Sequence, residues 1–206
     1  MKYFSIITIL ALSLGFTTLV VAGDSTDNAP QDTQSRLKYT EFNRIGNPAD
    51  VLEVKEDSAR ALKSGEVRVR VLASPINPSN LLQIAGKYGV QPVLPSTPGS
   101  EGVGRVLETS AEVNHLTVGQ LVLLVGGGTW RDEIVAPASG FLPLPNLGPL
   151  DSSMIEQLSM SAVNPITALL MLTSFVDLKE GQWIVQSAAN SAVGSYVIQL
   201  AKQRGI

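Results

Sequence analysis

Small residues fill the stretch Ser187, Ala188, Ala189, Asn190, Ser191, Ala192, Val193 and Gly194, which stands between a short apolar run and a segment of helical periodicity. Trp183, Ile184 and Val185, after the turn residues Lys179, Glu180 and Gly181, are predicted as a strand. Val193, Val197, Leu200 and Ala201 then recur at helical spacing, with Gly205 as a stop. A strand, a tight turn and a helix N-terminus aim backbone N–H groups and the positive end of a helix dipole at one point, which suits a pyrophosphate. A full G-x-G-x-x-G run would carry glycine where Ala188 or Ala189 and Ala192 stand, and only Gly194 remains. Taken alone, the pattern is also that of a plain strand-turn-helix packing unit, because small residues serve close helix–sheet contact as well.

Tyr88, in Gly86-Lys87-Tyr88-Gly89, is the second residue suited to chemistry. A phenol, with an ordinary pKa near ~10, holds its proton at neutral pH and can give it to a developing carbanion or enolate. By residue type alone it could instead cap an apolar loop with its hydroxyl in water. Asn164 precedes Pro165 and the helical repeat Ile166, Leu169, Leu170 and Thr173, so it reads as an N-cap with proline at the first helical position. Such a cap is worth about 1 kcal/mol. Glu101 lies in a Gly-x-Glu-x-x-Gly run, as a brace for a glycine-rich turn or as a cleft residue, and Trp130 beside Arg131 either packs or lines a pocket.

These groups need a folded frame, and the composition supplies one. The 206 residues are 44% hydrophobic and 16% charged, which suits a globular chain with a sizeable core. A formal net charge of −3 without a run of five like charges gives no basis for binding nucleic acid. Cysteine is absent, so disulfides, thiolate zinc sites and a cysteine nucleophile are excluded together. The single histidine, His115, falls in a polar loop and reads as a solvated side chain, so no metal is expected.

From residue 37 to about 150 the signals are strands and turns. Glu66, Val67, Arg68, Val69, Arg70, Val71 and Leu72 alternate apolar and charged, which puts the valines on one face and the arginines on the other. Further strands are expected over 102–107 and 121–125, and the spacing argues for an antiparallel, barrel-like domain. Ser153 with Glu156 three residues on reads as a capping box that opens a hinge helix, so residues 151–206 are expected to hold hinge helices and then the strand-turn-helix.

The N-terminus carries a separate message. Residues 1–22 combine Lys2 with a long uncharged apolar run, and Val20 and Ala22 stand where an export peptidase could read them. Export to the periplasm or outside the cell after cleavage is expected, with an uncleaved membrane anchor as the alternative, since about 20 apolar residues cross a bilayer. Residues 23–36 read as a polar linker.

Several runs follow one another in order: Ala73-Ser74-Pro75-Ile76-Asn77-Pro78-Ser79-Asn80, Gly86-Lys87-Tyr88-Gly89, Pro98-Gly99-Ser100-Glu101-Gly102-Val103-Gly104, Gly127-Gly128-Thr129-Trp130-Arg131, Val163-Asn164-Pro165 and Asn190-Ser191-Ala192-Val193-Gly194. Together they resemble the medium-chain dehydrogenase/reductase superfamily in its zinc-free branch of quinone reductases and 2-enoyl thioester reductases. The resemblance implies a mixed α and β fold: a GroES-like partial β-barrel over 37–150, then the first strand-turn-helix of an incomplete Rossmann domain. It implies NADPH, no metal, and hydride transfer to the activated C=C bond of a small-molecule enoyl thioester, quinone or enone, with Tyr88 as proton donor. Asn164, Asn190, Ser191, Ala192 and Val193 would contact the cofactor, and the methyl of Ala192 would crowd the pyrophosphate. The strand that reads the ribose 2′ position lies about 20 residues past such a turn, and the sequence stops at Ile206. The 206-residue chain alone is therefore expected to be inactive, a homodimer is expected only of a full-length form, and the competing reading is an exported, non-catalytic GroES-like binding module or a decayed fragment.

Overall fold

The structure is a computed structural model, and it describes residues 36–206. The leader expected over 1–22 and the linker up to residue 35 lie outside the described residues.

Alternation in the sequence becomes two faces of a sheet. Strand β3 (Glu66–Ala73) buries Val67 and Val69 completely and turns Arg68 and Arg70 the other way. It pairs with β4 (Gly102–Thr109) on one side and β6 (Glu133–Pro137) on the other, while β5 (Leu121–Leu124) joins β4 to β7 (Phe141–Pro143). The order β6-β3-β4-β5-β7 is antiparallel throughout, a partial barrel. Val67, Val69, Val106, Leu116, Val122, Leu124, Ala138 and Phe141 form its core, each large side chain contributing roughly 1.5–3 kcal/mol of burial. Gly104 lets the central strands close up, since a Cβ there would lie 2.7 Å from Arg70 O and inside the Val69 side chain.

On the opposite face the charges pair in register. Arg68 faces Glu108 and Arg70 faces Glu133 across the ladders, with N···O distances of 3.0 and 2.9 Å. A second antiparallel pair, β1 (Leu37–Glu41) with β2 (Glu53–Asp57), touches the larger sheet through the Tyr39–Arg131 bridge, where the guanidinium lies 5.8 Å from the ring centre. Short helices α1 (Pro48–Val51) and α2 (Pro78–Ile84) fill the crossovers.

Three longer helices follow: α3 (Ser152–Ser159), α4 (Val163–Thr173) and α5 (Ala192–Gln203). The expected capping box at Ser153 does not form, because Asp151 takes the cap two residues upstream, accepting from Met154 N at 2.8 Å. A carboxylate there also meets the helix dipole, which a serine cannot. Helices α4 and α5 share a core of Ala168, Leu172, Val197 and Ala201, with the alanines allowing close approach. The strand expected at Trp183, Ile184 and Val185 does not form: these residues belong to no strand, and none pairs with them among the described residues. Ile184 packs into the α4–α5 core, while Trp183 and Val185 are 93% and 101% exposed. The side chains alternate as in a strand, but a ladder needs a neighbour to take its N–H and C=O groups.

The segment before β3 is tied by Glu66, which accepts from Arg60 Nη1 and Nη2 at 2.7 and 2.8 Å and from Lys63 N at 2.8 Å. The Arg60 guanidinium first, then the Lys63 amide, holds the Glu66 carboxyl down at about 2. A carboxyl pKa lowered by folding stabilises fully above its unfolded value near 4.5, and that contribution is lost as pH falls toward about 2. Urea midpoints measured across this window are expected to fall more steeply for the natural protein than for Glu66→Gln; parallel curves would show that the pair contributes nothing.

Candidate active site

The residues singled out for chemistry lie on three supports. Tyr88 sits just past the C-terminal end of α2, whose Ile84 is wholly buried, and Lys87 N donates to Leu82 O at 2.8 Å. Gly86 reverses the chain there with φ of +70°. Gln91 Nε2 donates to Tyr88 O at 2.6 Å, which ties the loop back on itself. Tyr88 is 43% exposed, and its hydroxyl makes no hydrogen bond among the described residues.

Asn164 is two positions further into its helix than the sequence suggested. The helix begins at Val163, with Ala162 at the cap position, so Asn164 is its second residue and Pro165 its third. Its Nδ2 donates to Met160 O at 3.4 Å. Alanine has no oxygen with which to cap, and the free donors of the first turn are taken from elsewhere: Glu101 Oε2 accepts from Ala162 N at 3.1 Å and Val163 N at 2.8 Å. Proline at the third position has no N–H to satisfy.

Glu101 is the residue that sequence reasoning undervalued. It is wholly buried at the start of β4 and holds Asn77 Nδ2 on Oε1 at 3.0 Å. Its backbone oxygen accepts from Ser74 Oγ and Thr129 Oγ1, both at 2.9 Å. Asn80, 2% exposed, donates to Ser100 Oγ beside it. The glycine-bracketed carboxylate was a visible signal; its partners on α2 and α4 were not, being 24 and 61 residues away. Trp130 packs against the Phe42, Val51 and Ile84 cluster and donates Nε1 to Pro75 O at 3.1 Å.

The third support is the turn before α5. Ser191 caps this helix, its Oγ accepting from Gly194 N at 3.0 Å, and Ser191 N donates to Ala188 O at 2.9 Å. Asn190, Ser191 and Ala192 are exposed, while Val193 packs toward the α4–α5 core. Gly194 is required by contact, since a Cβ would meet Ala188 O at 2.6 Å and Ala189 O at 2.8 Å. Ala188 has φ of +52°, a left-handed conformation that glycine adopts freely. No hydrogen bond among the described residues joins Tyr88, Asn164 and this turn directly; α4 and α5 are joined by their shared core, and Tyr88 reaches α4 through α2, Asn77 and Glu101. No group of metal-ligating side chains is present among the described residues, and His115 is exposed.

The chain has clear relatives. The alcohol dehydrogenase GroES-like domain family matches residues 63–146. The mitochondrial enoyl-[acyl-carrier-protein] reductase of Mus musculus is 39% identical over 169 residues, which is 81% of this chain and 44% of that protein. Among solved structures, the mitochondrial 2-enoyl thioester reductase Etr1p/Etr2p heterodimer from Candida tropicalis superimposes with a TM-score of 0.73 and 32% identity, covering 83% of this chain and 52% of that one. Etr1p has also been solved with NADP and crotonyl-CoA. A putative NADPH:quinone reductase from Bacillus thuringiensis gives a TM-score of 0.72 and 35% identity over 82% of this chain and 50% of that one. The chain thus spans about half the length of the curated relatives it matches.

These relatives correct one expectation. Export was read from the apolar N-terminal run, whereas the curated reductases are mitochondrial proteins. Apolar length and small residues near a cleavage position are a generic pattern, and a reaction consuming reduced nicotinamide needs a compartment that supplies it. Among the described residues no helix is long and apolar enough to cross a membrane.

The turn makes a testable contrast. A left-handed alanine costs about 1–2 kcal/mol, so Ala188→Gly is expected to raise stability by about 1 kcal/mol after the added chain entropy is counted. Gly194→Ala is expected to lower it by more than that, through overpacking of about 1–3 kcal/mol. Thermal melts of both variants check this, and equal shifts in one direction would contradict the geometry.

Proposed function

The chain belongs to the zinc-free quinone reductase and 2-enoyl thioester reductase branch of the medium-chain dehydrogenase/reductase superfamily, and from that premise we propose that it is the front part of an NADPH-dependent reductase of an activated C=C bond. The substrate class is an enoyl thioester, with quinones and related enones as the wider set. The observation that carries this reading is the placement of Tyr88: a half-exposed phenol with no hydrogen bond among the described residues, on a loop that follows a helix anchored by buried Asn80 and Ile84. Residues 37–150 serve as the catalytic domain, and 151–206 open the nucleotide domain.

The residues of the α5 turn fit a dinucleotide. Exposed Asn190, Ser191 and Ala192 surround a helix N-terminus, and Gly194 lets the turn lie against the helix. When bound, NADPH supplies a hydride to the β-carbon of the conjugated double bond. Backbone N–H groups at the start of α5 would hold its phosphates, and Asn164, near the start of α4, would contact it from the neighbouring helix. The thioester carbonyl draws the electron pair of the broken C=C bond into an enolate. Tyr88 then gives its hydroxyl proton to the α-carbon and regains one from water. Supply of reduced nicotinamide favours an organelle of the mitochondrial kind, and the active form is a dimer of the full-length protein.

Replacement of Tyr88 by phenylalanine keeps the ring and removes the proton. Turnover of an enoyl thioester, followed by consumption of NADPH, is expected to fall roughly 10²-fold or more, while NADPH affinity stays as in the natural protein. Unchanged turnover would remove Tyr88 from the role.

A further inference from the structure

We propose that Glu101 is a positioning residue that sets the helix bearing Asn164 against the helix leading to Tyr88, an inference that rests on the reductase reading. The carboxylate is wholly buried, and no ion pair involves it among the described residues. Hydrogen-bond donors alone satisfy it, and they come from two separate elements. Oε1 takes Asn77 Nδ2, at the N-cap of α2, at 3.0 Å. Oε2 takes Ala162 N and Val163 N, at the start of α4, at 3.1 and 2.8 Å.

A helix that needs only a cap finds it locally, as α3 does in Asp151 and α5 in Ser191. Helix α4 has alanine at its cap position and borrows its acceptor from 61 residues away. That choice fixes the helix start relative to the barrel, which a local cap cannot do. The anchor is itself rigid: Glu101 O is gripped by Ser74 Oγ and Thr129 Oγ1, and Thr129 is wholly buried. From Asn77 the path runs along α2 through buried Ile84 to Tyr88; from Val163 it runs to Asn164 in one step. One side chain therefore spans the proton-donor side and the cofactor side, and reaction between groups held on two supports is steep in their relative position.

The test compares Glu101→Ala, Glu101→Gln and Asn77→Ala in the full-length protein, with two readouts. Glutamine keeps the length and can keep both arms, Oε1 accepting from the α4 amides while Nε2 donates to a flipped Asn77; alanine keeps neither. Hydrogen exchange at the Ala162 and Val163 amides, which needs no activity, is expected to quicken by roughly tenfold or more in Glu101→Ala and to recover in Glu101→Gln. Reduction of an enoyl thioester is expected to lose up to roughly 10²-fold in kcat in Glu101→Ala, with a smaller change in the KM for the thioester, and to recover largely in Glu101→Gln. Asn77→Ala, which cuts only the α2 arm, is expected to lower kcat while the α4 amides stay protected. Should Glu101→Ala fail to fold, Asn77→Ala and Glu101→Gln still decide the matter through kcat and exchange. Lower melting temperatures with kcat and exchange unchanged would overturn the proposal, leaving Glu101 a brace of the core. No NADPH oxidation by the natural protein itself would sink the reductase reading; the exchange result would then decide the tie between the helices by itself.

Discussion

A carboxylate taken out of water has to be met by donors, and the way Glu101 is met orders much of this structure. Its three N–H partners come from two helices, and its main chain is held by two hydroxyls of neighbouring loops. The sheet can place the residue so deep because Gly104, three positions on, lets β3 and β4 approach without a side chain between them. Barrel, α2 and α4 are thereby referred to one buried point. The loop carrying Tyr88 and the helix carrying Asn164 inherit their places from it.

The second half of the proposed site is governed by size rather than charge. Ala168 and Ala201 bring α4 and α5 together, and Gly194 lets the preceding turn rest on the first turn of α5. Ala188 in a left-handed conformation marks where a glycine would be easier. The turn keeps its shape because the Ser191 cap and the Ser191–Ala188 hydrogen bond hold it from both sides. Trp183 and Val185 lie open to solvent next to this turn, while Ile184 between them is packed.

Much of this was legible in the sequence for reasons that act locally. Period-two alternation placed Val67 and Val69 inside and Arg68 and Arg70 outside, because successive strand side chains must face opposite ways. Helical spacing found α4 and α5, and motif order pointed to the superfamily. The failures share a cause in long-range partners. The first turn of α4 starts one residue before its expected cap because Glu101 serves it from the barrel, and a strand cannot be assigned at Trp183 without a neighbour to pair with. Asp151 displaced Ser153 as the α3 cap through a closer electrostatic match to the helix end. The N-terminal apolar run suggested export, since hydrophobic length alone does not distinguish destinations.

The central claim is hydride transfer to a conjugated double bond with a proton arriving separately, and isotopic labels follow the two hydrogens directly. The full-length protein would be supplied with NADPH carrying deuterium at the transferable position and an enoyl thioester in ordinary water, and the product examined by nuclear magnetic resonance. The account predicts deuterium at the β-carbon and ordinary hydrogen at the α-carbon, with the pattern reversed when unlabelled NADPH is used in heavy water. Cofactor deuterium absent from the product, or found at the α-carbon, would contradict it.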